Sequence, residues 1–123
     1  MTDANKRFFN LSDITSRVQQ ILQPHIGKTF WVKAEISSGR ERGGSFYCDL
    51  VESNSGGKII AQMRCTIWNR DLANIRSQFK EHDLDLTLDD GSVVGFQCSL
   101  QFHPQFGLSL KAVGAYPAFA LGE

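Results

Sequence analysis

The sequence predicts a mainly β domain: five antiparallel strands curled into a barrel, one helix before them and one between the third and fourth strands. Three observations predict it. Five runs alternate apolar and polar residues with the period of a half-buried strand. Two other stretches space their apolar residues for one face of a helix. Strands this short bury little surface as an open sheet and gain most by closing on themselves. A small open α+β sheet is the other arrangement this element order allows.

The chain has 123 residues, enough for one domain with a modest core. Thirteen Lys and Arg balance thirteen Asp and Glu, so net charge names no partner. Distribution says more. From Lys28 to Arg70 there are seven basic and four acidic residues, and from Asp71 to Gly91 two basic and six acidic. A neutral total can thus hold a basic face and an acidic edge. Cys48, Cys65 and Cys98 stand far apart in strand-like runs with no CxxC spacing, which argues for buried thiols in a reducing compartment. No apolar run approaches membrane-spanning length, and MTDANKRFFN lacks a signal-peptide core, so the expected location is cytoplasmic, with no membrane partner.

In chain order, residues 1–10 read as a flexible N-terminus. Leu11 to Gln23 reads as an amphipathic helix with Ser12 as N-cap, Ile14, Val18, Ile21 and Leu22 on one face, and Pro24 ending it. Lys28 to Ser37 is the first strand, with Phe30, Val32, Ala34 and Ile36 opposite Trp31, Lys33 and Glu35. A glycine-bearing loop, Ser37 to Gly44, precedes a second strand whose Phe46, Cys48 and Leu50 oppose Tyr47 and Asp49. The NSGG turn leads to a third strand, Lys58 to Trp68. Leu72, Ile75 and Phe79 then take helical spacing, with Asn69 or Asp71 as cap. His82 to Asp90 is acidic, and its alternating Leu84, Leu86 and Leu88 suggest an extended segment. Val93 to Phe102 and Leu108 to Val113 are the last strands, joined by HPQFG.

A helix between strands 3 and 4 of a five-stranded barrel suits the OB-fold, where it plugs one end. The expected domain spans residues 11–116, with the barrel over 28–113. Such barrels bind oligonucleotides or oligosaccharides across strands 2 and 3, between the 1–2 and 4–5 loops. The candidate nucleic-acid-binding residues follow from that geometry. Arg40 and Arg42 sit in the 1–2 loop beside glycines that let a phosphate backbone approach. Tyr47, Arg64 and Trp68 face outward on strands 2 and 3, Lys33 stands near on strand 1, and His103 and Phe106 belong to the 4–5 loop. Aromatics interleaved with cations form a platform on which unpaired bases stack. Trp31 and Trp68 also admit a packing role on the barrel's outer surface or under the first helix. Phe102 reads as the last inward residue of strand 4, and His103 also suits a locally bonded turn.

For catalysis the sequence offers little: no P-loop, no HExxH, no nucleophile elbow and no cofactor motif. Asp83, Asp85, Asp89 and Asp90 lack the glycine and terminal glutamate of a calcium loop and read as a solvated edge, so no metal site is expected. The expectation is a chain that does no chemistry alone.

The segments FWVKAEIS, GSFYCDLVE, KIIAQMRCTIW and FHPQFGLSL, in that order, resemble the N-terminal OB-fold domain of the exonuclease VII large subunit from Leu11 onward. The resemblance implies a single-stranded DNA-binding module of a bacterial exodeoxyribonuclease, which hydrolyses single-stranded DNA to oligonucleotides and works with copies of a small subunit. It implies that the catalytic residues lie in a following domain, with residues 117–123, within YPAFALGE, starting the linker towards it. The sequence departs from the family at FHPQFG, where many members carry a basic residue and this chain has Phe106.

Two rival readings suit the same residues: a docking module whose exposed aromatics contact another protein, and an OB-fold that binds RNA. For DNA, the expected binding is weak, electrostatic and stacking in character, with little base preference.

Overall fold

The computed structural model describes residues 5–117. Its element order is α1 (Leu11–Leu22), a 3₁₀ turn (Gln23–His25), β1 (Thr29–Arg42), β2 (Ser45–Ser53), β3 (Ile59–Ile67), α2 (Asn69–Glu81), β4 (Val93–His103) and β5 (Gly107–Ala115). The strands close into a barrel in the order β1-β2-β3-β5-β4. The sequence-based expectation of five strands, a leading helix and a helix between β3 and β4 agrees with this architecture.

The expectation of an all-antiparallel sheet needs correction, because β3 and β5 pair in parallel, through Cys65 with Leu110 and Thr66 with Lys111. The reason is parity. Neighbours in an antiparallel ring must alternate direction, and an odd number of strands cannot alternate all the way round. The meander β1-β2-β3 and the hairpin β4-β5 keep their antiparallel pairings, as does β1 with β4. The parallel seam therefore falls where the two halves meet, across the α2 connection.

The inward faces are those the alternation marks. Ile36, Phe46, Leu50, Ile67 and Phe96 are buried in one core, with Cys48, Cys65 and Cys98 among them. Cys48 and Cys65 are register partners on β2 and β3, so residues distant in sequence meet as a cluster of free thiols. Hydrogen bonding to Cys48 and Cys98, together with burial, pushes the Cys65 thiol well above the usual thiol range. From α2, Leu72, Ile75 and Phe79 plug the barrel, each buried side chain contributing about 1.5–3 kcal/mol.

The hairpin between β1 and β2 is tighter than the eight-residue loop expected. β1 continues past a bulge between Ser37 and Arg40, and Arg40 pairs with Tyr47 and Arg42 with Ser45. Only Gly43 and Gly44 remain as the turn, at φ +60° and +81°, the left-handed pair that a twisted two-residue hairpin requires. At the bulge Ser38 takes φ 54°. A Cβ on Gly39 would stand 2.8 Å from the Phe46 ring, so any larger residue forces the ring or the bulge to shift. The Gly39 N–H donates to Asp90 Oδ1 at 2.8 Å, so the acidic segment has a structural role in tying down the bulge. Leu84, Leu86 and Leu88 of that segment are half-buried against the core without forming a strand.

The caps also differ from those expected. Asn10, not Ser12, takes the N-cap of α1, with its backbone N–H donating to Asp13 Oδ2 at 3.0 Å. Trp68 takes the N-cap position of α2 without a side-chain cap bond, while Asn69 Oδ1 accepts from the Arg70 N–H. α1 ends at Leu22, and Pro24 is absorbed into the 3₁₀ turn. No residue of α1 is buried, and Trp31 and Trp68 are themselves exposed. Of the expected flexible terminus, residues 5–10 carry no helix or strand and residues 1–4 lie outside the described residues; so do residues 118–123 of the expected linker.

Candidate nucleic-acid interface

Alternation along β2 and β3 sends every second side chain away from the core. On β2 this leaves Tyr47 and Asp49 half-buried between buried neighbours, and across the register Tyr47 meets Thr66 while Asp49 meets Arg64. Trp68, one residue beyond β3, turns its ring edge-on to Tyr47, with centroids 6.1 Å apart and planes at 85°. Such contacts stabilise by about 0.5–1.5 kcal/mol beyond burial. Arg40 places its guanidinium 5.8 Å from the centre of the same tyrosine ring, within cation–π range. The continued hairpin, rather than a loose loop, is what brings Arg40 there.

The turn between β4 and β5 supplies a second aromatic pair. His103 and Phe106 stack with centroids 4.6 Å apart and planes at 25°. His103 Nδ1 accepts from the backbone N–H groups of Gln105 and Phe106, at 3.1 and 3.4 Å. The residue is thus both a bonded turn residue and part of a stacked surface. Arg64 reaches across from β3: its Nη2 is 4.0 Å from where a Cβ on Gly107 would lie.

Together these parts line one open groove of about 600 Å³. Six of the residues singled out in the sequence meet in it: Arg40, Tyr47, Arg64, Trp68, His103 and Phe106. Two do not. Lys33 lies on the β1–β4 side, opposite Gly95 in register, with Trp31, Val32 and Tyr116 around it. Arg42 sits beside the hairpin turn and does not line the groove. The groove also holds residues that a pattern of cations and aromatics does not mark: Asp49, Thr66, Gln101, Phe102 and Ser109. Alternation alone marks Asp49 as outward. Phe102, expected inside, is half-buried near the end of β4 and lines the groove.

One ion pair braces the hairpin from behind. Arg76 of α2 donates to both carboxylate oxygens of Glu41, at 2.7 and 3.3 Å. The guanidinium holds the Glu41 carboxyl below the usual carboxylate range, first through the hydrogen bond and then through charge. Among the described residues no group of three or more His, Cys, Asp or Glu is placed to hold a metal ion. No described helix is long and apolar enough to cross a membrane.

Comparisons with known proteins agree with this geometry. The large subunit of exodeoxyribonuclease 7 from Deinococcus radiodurans is 30% identical over 122 residues, covering 96% of this chain and 29% of that protein. The chain therefore spans under a third of that relative's length. Among solved structures, the aspartyl tRNA synthetase of Entamoeba histolytica aligns over 92% of this chain and 21% of its own, at 8% identity and a TM-score of 0.50. At that identity the likeness speaks to fold alone. A small single-stranded DNA binding protein from Mycoplasma pneumoniae aligns over 72% of this chain and 90% of its own, with 9% identity and a TM-score of 0.47, too low to carry an argument. A family model described as OB-fold nucleic acid binding domain matches residues 9–114. With that match covering most of the chain, the chain belongs to the OB-fold nucleic acid binding domains.

Proposed function

We propose that the groove binds single-stranded DNA, and that the chain is the DNA-holding domain of an exodeoxyribonuclease 7-type large subunit. One observation carries the reading: two aromatic pairs and two arginines from separate elements converge on one open groove. Unstacked bases reach Tyr47, Trp68 and Phe106, while duplex bases stay within their stack. Each base stacked on an aromatic ring contributes about 1–3 kcal/mol, and Arg40 and Arg64 follow the phosphates. Phe106, stacked on His103, offers a further ring at the β4–β5 turn.

In this reading the domain spans residues 11–116 and performs no hydrolysis itself. It works in the cytoplasm and needs no cofactor. It presents the strand to a catalytic domain that follows residues 117–123, and the small subunit engages other parts of the parent protein. The 30% identity to an exonuclease subunit supports the assignment.

The test is fluorescence anisotropy of a labelled oligothymidine at low and moderate salt, with duplex and RNA of matched length as competitors. Binding that weakens with salt, resists duplex and drops in Arg64→Ala and Tyr47→Ala supports the reading. Absence of binding at low salt and high micromolar protein overturns it, and stronger competition by RNA reassigns the ligand. A second reading, protein docking, is favoured by a different face: Leu11, Ile14, Val18 and Ile21 of α1 form an exposed apolar stripe.

A further inference from the structure

Among the described residues the groove is lined by a single acid, Asp49. Asp49 sits half-buried on β2, two residues from Tyr47 on the same outward face. Arg64 is its register partner, yet among the described residues Asp49 makes no ion pair and no side-chain hydrogen bond. A bare carboxylate in a surface for a polyanion repels phosphates, so the backbone of a bound strand runs along Arg40 and Arg64 and the bases fall towards Asp49. Two residues along a strand is roughly 7 Å, the reach of a purine stacked on the Tyr47 ring.

A carboxylate only accepts, through two oxygens. In an unpaired strand the Watson–Crick edges are free to meet it. Guanine alone offers two adjacent donors there, N1–H and the N2 amino group, which a carboxylate accepts together. Cytosine and adenine each place one amino group beside a ring acceptor, and thymine flanks its single N3–H with two carbonyls. We infer that Asp49 reads guanine on its Watson–Crick edge, so that the groove prefers guanine-containing single strands. This rests on the proposed single-strand site and sharpens it: phosphates position the strand, and Asp49 selects the base.

The experiment is anisotropy with labelled oligothymidines carrying one central thymine, cytosine, adenine, guanine or inosine. The protein is either the chain as it stands or Asp49→Asn, whose fold is checked by thermal melting. A bidentate pair discriminates strongly, so the guanine host should bind about fivefold tighter than the thymine host or better. Inosine, which lacks the N2 amino group, should lose most of that gain. In Asp49→Asn the guanine preference should fall below about twofold. Equal binding of all hosts overturns the inference and leaves the single-strand site standing, as does a guanine preference that survives in Asp49→Asn. No binding of any host overturns both.

Discussion

Two surfaces of this barrel expose aromatic rings, and they differ in what accompanies the rings. In the groove, Trp68 and Phe106 are 43% and 63% exposed and stand with Arg40, Arg64, Asp49 and polar Thr66, Gln101 and Ser109 around a concavity. On the β1–β4 side, Trp31 is 58% exposed and meets Tyr116 edge-on at 6.0 Å, with Val32, Gly95 and Lys33. The stripe on α1 carries aliphatic side chains only. Exposure alone therefore does not separate a ligand surface from a packing surface. Company does: rings with forked cations suit stacked bases and phosphates, and rings with aliphatics suit another apolar face.

The largest expected effect divides the two surfaces. Tyr47→Ala removes the ring that both Trp68 and Arg40 address, and should weaken oligothymidine binding by about 1–3 kcal/mol, or roughly 5- to 150-fold. Trp31→Ala should leave the affinity within twofold. Equal losses from both would dissolve the distinction, and anisotropy titrations measure them directly.

Next comes Gly39→Ala. The added methyl meets the Phe46 ring at the bulge that sets Arg40, and should cost about 1–3 kcal/mol of stability, read as a lower Tm, with a parallel loss of binding. A smaller, more specific effect belongs to Arg64→Ala, which removes one of the proposed phosphate contacts. The slope of log K against log salt should become shallower by about 0.7, the value for one phosphate on a single strand.

The smallest effect is on the brace. Glu41→Gln breaks an exposed ion pair and should cost at most about 1 kcal/mol in denaturant unfolding. Its pH dependence has a fixed sign. A carboxyl held below its unfolded value adds stability that is fully present above the ordinary carboxylate range and is lost as pH falls through the lowered folded value. Glu41→Gln should therefore be less sensitive to acid in that window than the parent chain, and pH-dependent melting curves compare them.

Most of the barrel is legible in the sequence because its inward residues alternate without interruption from Phe46 to Leu50 and from Val94 to Cys98. What alternation cannot carry is partnership. Nothing in the spacing of Cys48, Cys65 and Cys98 says that they meet, since β2–β3 register pairs the first two; nor does it say that β3 and β5 run parallel, which follows from ring closure. The α1 stripe is plain in the periodicity of Ile14, Val18 and Ile21, yet periodicity predicts a buried face and the structure leaves it open. In the groove, Tyr47, Arg64 and Trp68 follow from alternation. Arg40 needed the bulge at Ser38 and Gly39, and Lys33 went to another face because register sets it opposite Gly95. Asp49 is visible as an outward residue, but its charge is the wrong sign for a phosphate contact.

The most direct test of the central claim is an NMR titration of the ¹⁵N-labelled chain with short single-stranded DNA, following every backbone amide. Shifts should concentrate at Arg40, Tyr47, Asp49, Arg64, Thr66 and residues 103–107, with α1 and Trp31 unmoved. Shifts centred on α1 and Trp31, or none at saturating DNA, would contradict a single-strand groove on β2 and β3.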